Sequence, residues 1–442
     1  MQNKATPLEM ADAAVKHGRS LGLTAIEVHI DAATRRTVAW ESTGTTSAAS
    51  LPSKESLRAD IRVYSSIGQV GVASGACGSK GAIHRLIDKA IEAAKASGRN
   101  PNAGPAEHYE QSTAGLGLMD RRCGSLDDEQ REEAVNDNIE DARSFNGVEP
   151  LSFRYVEDVR DRAFASSTGV RREEASSRFR LEGCVGLDDG SLAVTGSVES
   201  RLFADAASLP LGADLAAQVG RYRAPQPLPI AQRPVVFEPV VAAAIVEAAL
   251  PAFLRSTVDS GDSFLSASQQ VGTDKLHMID DGLIPSGLNT RSFDLRGVPA
   301  LAIPLIREGA VGALYQSVEQ ARARNGRPSG HEGRQGVMPG NLVLRPGTRS
   351  RNMIAPDLGR YLIFDSLAVT GRGWFNLRNG KLKLTGHVFS AAAGTEPVYA
   401  GVHTISTTFV DLWSGIREVA NDQKRFGCVD VSSWVVEGLT LS

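Results

Sequence analysis

Ile26-Glu27-Val28-His29-Ile30-Asp31 alternates apolar and polar residues with period two, the signature of a β-strand that turns one face into a core. His29 is then expected to point to solvent. Just upstream, Thr6-Pro7-Leu8-Glu9 forms a capping box with proline at the first helical position, and Leu8, Ala11, Ala14, Val15 and Leu21 follow at helical spacing. A helix is predicted from Pro7 to about Leu21. Downstream, Thr37–Glu41, the alternating run Leu57–Tyr64 and Gly68–Gly75 extend the strand into an antiparallel sheet. Ala82–Ser97 carries Ile83, Leu86, Ile87, Ala90, Ile91 and Ala94 on one stripe, so this helix packs on that sheet.

Further along, the charged segment Ser125–Phe145 reads as a surface helix, and strands are expected over Pro150–Val159 and much of Arg162–Ala204. Leu187-Asp188-Asp189-Gly190 is a hairpin turn between two of them. A helix around Leu211–Tyr222 leads to Ala224-Pro225-Gln226-Pro227-Leu228-Pro229, a stiff run that cannot donate normally to a ladder. The domain boundary is placed there, giving 1–224 and 225–442. A helix from Pro239 to Leu254 opens the second domain. Short β-like segments then dominate: Leu301–Glu308, Asn341–Arg345, Tyr361–Val369, Lys381–Phe389 and Val398–Thr407, interrupted by a late helix over Thr408–Ala420. The fold class is α+β, with a mostly β C-terminal half.

The 442 residues carry 48 Lys+Arg against 51 Asp+Glu, which removes the long-range positive field of a non-specific nucleic-acid binder. The cysteines, Cys77, Cys123, Cys184 and Cys428, form no C-x-x-C pair, and a reducing cytoplasm is expected. No signal-peptide core is seen at the N-terminus, and the apolar stretch Val235–Leu254 is broken by Glu238, Pro239, Glu247 and Pro251, so no membrane span is expected. Neither phosphate-cradling glycine motif occurs. Gly18-Arg19-Ser20-Leu21-Gly22 matches G-x-S-x-G but closes a helix, whereas a nucleophile elbow runs from strand to helix. The arginines at 322–324 and 345–351 lack interleaved aromatics and read as solvated loops.

Several segments in order resemble the TldD/PmbA family, once called modulators of DNA gyrase. They are Gly68–Ser74 with the helix to Ala96 and the Arg99-Asn100-Pro101 exit, Asp280–Gly282, Arg291–Pro299, Ile306–Gly309, Ala321–Ser329, Asn341-Leu342, Pro346-Gly347 and Ser433–Thr440. The resemblance implies an N-terminal α/β domain with an antiparallel sheet flanked by helices. It also implies a C-terminal domain built on a large curved, mostly antiparallel sheet, and assembly into homo- or heterodimers. TldD-type members resemble zinc metallopeptidases with H-E-x-x-x-H on the first helix of the C-terminal domain, whereas the TldE/PmbA type lacks that set and pairs with them.

Aligned on this chain, the motif falls on Val246-Glu247-Ala248-Ala249-Leu250-Pro251, so both histidine positions, Val246 and Pro251, carry no donor and only Glu247 is kept. No other register restores them, because no histidine lies between His108 and His277. Cys428 lies close to where metal-binding relatives place a C-terminal ligand, but without histidine partners it reads as a small buried residue. His331-Glu332 sits in a glycine-rich loop and is not expected to bind metal.

The resemblance therefore implies a non-catalytic subunit of a TldD/TldE-like metallopeptidase complex that processes unfolded or modified precursor peptides. No catalytic residue, metal or cofactor is assigned to this chain, and zinc is expected in a TldD-like partner. An extended peptide would be held by main-chain hydrogen bonds at a sheet edge. Its expected groove residues are Thr385, Gly386, His387 and Ser390, from the segment aligned with the family's G-D-F-S stretch. Arg296 departs from the glutamate that relatives commonly carry in F-D-x-E-G. The alternatives are a stand-alone hydrolase or tailoring enzyme with a relocated site at His387 and His403, and a protein-binding regulator. A homodimer is the alternative assembly when the chain is alone; nucleic acid and membrane are not expected as partners.

Overall fold

The computed structural model describes residues 5–44, 47–111, 115–228, 233–334, 336–368 and 373–441. Pro229, Gln335 and Val369, which belong to segments interpreted above, lie outside them. The chain forms two compact units: Met1–Ala216 with Gly282–Leu301 and Gln316–Gly340, and Ala217–Asp281 with Ala302–Tyr315 and Asn341–Ser442. The first unit thus takes back two segments from beyond the proline-rich run.

In the first unit, helix α1 (Pro7–Ser20) starts at the Thr6/Glu9 capping box, in which each residue's backbone N–H is accepted by the other's side chain. Strands β1 (Ala25–Glu41), β2 (Ala49–Tyr64) and β3 (Val70–Ala76) precede helices α2 (Lys80–Ala96) and α3 (Asp128–Arg143). Then come β4 (Val148–Ser166), β5 (Arg171–Leu187) and β6 (Ala193–Ser200), followed by α4 (Phe203–Ala207) and α5 (Leu211–Arg221), whose last turn belongs to the second unit. The sheet order is β3-β2-β1-β4-β5-β6, antiparallel at every pairing. The two stretches expected at Ile26–Asp31 and Thr37–Glu41 are one long strand.

One face of this sheet is the core. Ile26, Val28, Ile30, Ala59, Ile61 and Val63 pack against Ala11, Ala14 and Val15 of α1 and Ile83, Ile87 and Ala90 of α2. Gly71 is required for α2 to approach: a Cβ there would lie 1.8 Å from the Ala90 carbonyl oxygen. The other face is polar, yet it does not all meet water. His29, expected in solvent, is only 3% exposed, because the returning segment lies over it and Phe293 meets its ring edge-on. Period two identifies the two faces of a strand but not what a distant segment lays over the polar one.

Beyond α5 follow β7 (Val235–Phe237), α6 (Pro239–Ala249), α7 (Arg255–Asp259), β8 (Met278–Asp281), β9 (Ala302–Arg307), β10 (Ala310–Val311) and α8 (Val318–Arg322). The hairpin β11 (Glu332–Gly333) and β12 (Gly336–Val337) lies, like α8, in the first unit. The chain ends through β13 (Asn341–Leu344), α9 (Arg351–Leu358), β14 (Arg360–Leu367), β15 (Lys381–Ala392), β16 (Val398–Thr408), α10 (Phe409–Ser414), β17 (Ile416–Val419), β18 (Lys424–Phe426), β19 (Val429–Val431) and β20 (Trp434–Val436).

The second unit contains two six-stranded sheets, ordered β10-β9-β8-β13-β19-β18 and β16-β15-β14-β7-β20-β17. Each is antiparallel except for one parallel pair, β13 with β19 and β14 with β7. Helix α6 touches strands of both sheets. Two expected helices are shorter than anticipated. The helix to Leu254 stops at Ala249 and tightens into a 3-10 turn over Leu250–Phe253, as Pro251 has no N–H to continue the α-helical ladder. The late helix ends at Ser414, and Ile416–Val419 is a strand paired with β20.

Candidate functional site

Helix α6 begins with Pro239 at its first turn and is apolar almost all round, as befits a helix packed between two sheets. Val246 is buried at 1% exposure, while Glu247 and Pro251 are exposed, so the three degenerate motif positions do not share one environment. The turn between β18 and β19 brings Cys428 Sγ to 4.0 Å from Glu247 Oε1, across 181 residues of sequence. Gly427, in the left-handed region at φ +57°, shapes that turn.

A zinc ion is held by three or four converging N, S or O donors. Here valine and proline supply none, leaving one carboxylate and one thiol. Among the described residues no group of three or more His, Cys, Asp or Glu side chains is placed to hold a metal ion. The residues present do not fit zinc.

The four expected groove residues lie on β15, which is hydrogen-bonded to β14 on one side and β16 on the other. Its main chain therefore has no edge to offer. Thr385 and His387 face one side of the sheet, Gly386 and Ser390 the other. Thr385 Oγ1 shares a 2.9 Å hydrogen bond with Thr404 Oγ1, and a Cβ on Gly386 would lie 2.2 Å from the Ser366 carbonyl oxygen. The sheet edge is the neighbouring strand β16, where the Tyr399 carbonyl accepts from Gln226 N–H and Ile405 bridges Leu441.

His387 is 5% exposed and stacks on Tyr222, ring centroids 3.9 Å apart and planes within 2°. Its Nδ1 hydrogen-bonds the Tyr399 hydroxyl at 2.8 Å, and burial lowers its pKa so that the neutral ring is favoured. Tyr222 in turn donates to Asp365 Oδ2 at 2.5 Å, and Arg221 Nη2 reaches Asp365 Oδ1 at 3.0 Å. Sequence reasoning missed Tyr222, Asp365 and Tyr399; the one local signal was an aromatic residue closing a helix before a proline-rich run.

The relocated pair His387 and His403 is not brought together. Gly386 is opposite His403 and His387 opposite Val402, so the two imidazoles point to opposite faces. His403 Nε2 lies 3.0 Å from the Ala400 carbonyl oxygen. His331, 1% exposed, has Nδ1 2.6 Å from the Ser329 carbonyl oxygen, and Glu332 bonds arginines in the first unit.

The motif Arg291–Pro299 is architectural. Arg291 donates to the carbonyls of Asn289, Met338 and Pro339. Asp294 Oδ1 accepts from the backbone N–H of Arg296 and Val298, and its Oδ2 accepts from Glu332 N–H. Gly297, at φ +70°, passes so close to Phe164 that a Cβ would sit 2.4 Å from its ring.

These units define a two-part α+β protein. Residues 231–442 match the family described as the PmbA/TldA metallopeptidase C-terminal domain. The C-terminal part of the chain, residues 231–442, therefore carries a domain of the PmbA/TldD family. Among solved structures, a Thermotoga maritima protein named for modulation of DNA gyrase superposes with TM-score 0.85 at 18% identity, covering 98% of this chain and 99% of that one. A Bacteroides thetaiotaomicron protein with a similar name gives 0.83 at 16%, covering 98% of each chain. TldE from Thermococcus kodakarensis gives 0.84 at 16%, covering 98% of this chain and all of that one. No curated protein sequence gives a significant match. No helix among the described residues is long and apolar enough to cross a membrane.

Proposed function

We infer that this chain is a TldE-type, non-catalytic subunit that pairs with a TldD-like metallopeptidase subunit, which supplies the zinc for cleaving unfolded or modified precursor peptides. The observation that carries this reading is the helix α6 position, where Val246 and Pro251 replace donors while Glu247 and Cys428 remain neighbours. The fold likeness to a TldE supports it. The separation of His387 and His403 onto opposite faces weighs against a stand-alone enzyme built on that pair.

The test is co-purification with a TldD-like protein from the same source, then peptide cleavage by each component and by the mixture. Cleavage only in the mixture is expected. Cleavage by this chain alone, with stoichiometric bound metal, would overturn the assignment.

A further inference from the structure

The polar face of the first unit's sheet is not fully covered. Strands β1, β4 and β5, with the returning loop at Leu288–Arg291, enclose an open cavity of about 520 Å³ lined by eight arginines and three carboxylates. Arg154 and Glu182 also line a second cavity of about 500 Å³, which continues toward Ala39 and Thr195. Together they form a trough along β4 from Arg162 to Ser152, roughly 33 Å long at the rise of a β-strand.

The positive charge is only partly answered. Arg35 makes a two-pronged pair with Asp158 at 2.8 Å, Arg162 Nη1 reaches Glu174 at 2.8 Å, Arg180 Nη1 reaches Glu182 at 2.7 Å, and Arg178 and Arg180 both pair with Glu199. Arg201 is different: it is 7% exposed, and its hydrogen bonds go to the carbonyls of Ser177, Gly287, Leu288 and Thr290. A buried guanidinium hydrogen-bonded to neutral oxygens is offset only by the field of Glu174 and keeps much of its positive charge at the trough floor. Burial, then the nearby Arg178, pushes its pKa down to about 10, still charged at neutral pH. Arg154 and Arg160 project from β4 into the opening, both exposed. A groove whose lining carries an excess of one sign of charge concentrates ligands of the other.

We propose that this arginine-lined trough binds an extended acidic peptide segment through its side chains. The exposed Arg154 and Arg160 lie six residues apart on β4, about 20 Å, so an extended peptide running along the strand would present carboxylates to both. A nucleic acid fits less well: Asp158, Glu174 and Glu182 interrupt the basic lining, and the 520 Å³ cavity has no aromatic side chain on which bases could stack. The inference deepens the partner-subunit reading by naming the substrate chemistry this subunit favours, but it needs no peptidase to be tested.

Labelled octaglutamate, a glycine-serine octamer and a thymidylate oligonucleotide are titrated against the full chain by fluorescence anisotropy. Octaglutamate binding that weakens with salt, and weakens about five- to tenfold in Arg154→Ala/Arg160→Ala, is expected. Arg85→Ala on α2 should bind as the parent does. Unchanged affinity in the double variant, no octaglutamate binding at low salt, or tighter binding of the oligonucleotide overturns the proposal. Failure to co-purify with a TldD-like subunit would instead remove the partner reading and leave these titrations unaffected.

Discussion

Arg296 Nε lies 2.7 Å from Glu27 Oε2 although the two residues are 269 positions apart, and they are only 2% and 3% exposed. Tyr64 donates to the same carboxylate at 2.7 Å, and Arg296 Nη1 reaches Glu319 at 3.0 Å. This network ties the returning segment to β1 and β2 within the first unit. It also gives a physical reason for an arginine at this position, since a carboxylate at 296 would face Glu27, Glu319 and Glu332. Arg296→Glu should cost about 3–5 kcal/mol or more in urea denaturation, since it leaves buried charges uncompensated. The swap Glu27→Arg/Arg296→Glu should recover part of that loss. A single variant within about 1 kcal/mol of the parent would show that the pair does not anchor the segment.

Asp294 supplies a pH dependence of known sign. Burial, then the neighbouring Glu332, pushes its carboxyl up to about 6 from 3.8, against three backbone N–H donors that favour the carboxylate. A raised folded value means that its stabilising contribution is complete below the unfolded value and is lost as pH rises through about 6. The amount is on the order of 2–3 kcal/mol. Asp294→Asn should lower stability overall yet remove that loss, and comparing urea midpoints of variant and parent at about pH 4 and pH 7.5 isolates it from other titrating groups. Equal pH slopes in the two proteins would contradict the assignment.

Much of the first sheet was legible from local pattern, because Ile26, Val28 and Ile30 announce a core face by spacing alone. What lies over Glu27 and His29 was not legible. Their cover comes from residues near 293–296, and period two carries no information about contacts across more than 260 residues. The shortened helices have visible causes in the sequence, Pro251 with its missing backbone N–H in one case and Gly415 in the other. At the degenerate metal position the loss of ligands was readable from residue types. The approach of Cys428 to Glu247 was not, since it depends on how β18 and β19 turn beside α6. The four residues taken for a groove followed an aligned stretch rather than a face, so the pleat of β15 divides them.

Glu247 is exposed on α6 beside Cys428, and among the described residues no group of three or more His, Cys, Asp or Glu side chains is placed to hold a metal ion. Glu247→Gln should leave peptide cleavage by a reconstituted complex within about twofold of the parent in kcat/KM. Cys428→Ser should behave alike. A large loss of turnover in either variant, with normal assembly by size-exclusion chromatography, would mean that these side chains reach the chemistry.

Tyr222 tests whether the cluster beneath His387 is held by hydrogen bonds or by ring packing. Its hydroxyl donates to Asp365 at 2.5 Å, lies 2.7 Å from Ser366 Oγ and accepts from Gln218 at 2.9 Å, while its ring lies flat on His387. Tyr222→Phe keeps the stacking and removes only the hydroxyl, leaving Asp365 with Arg221 as a remaining donor. The expected loss is about 1–3 kcal/mol, the cost of a buried acceptor deprived of one partner. Tyr222→Ala removes the ring as well and should cost about 3–5 kcal/mol. If the two variants lose the same amount, packing against His387 contributes nothing measurable; if Tyr222→Phe is neutral, Arg221 alone satisfies Asp365. Thermal melts followed by tyrosine fluorescence would confuse the two cases, so denaturation is best monitored by far-UV circular dichroism, which does not depend on the residue replaced.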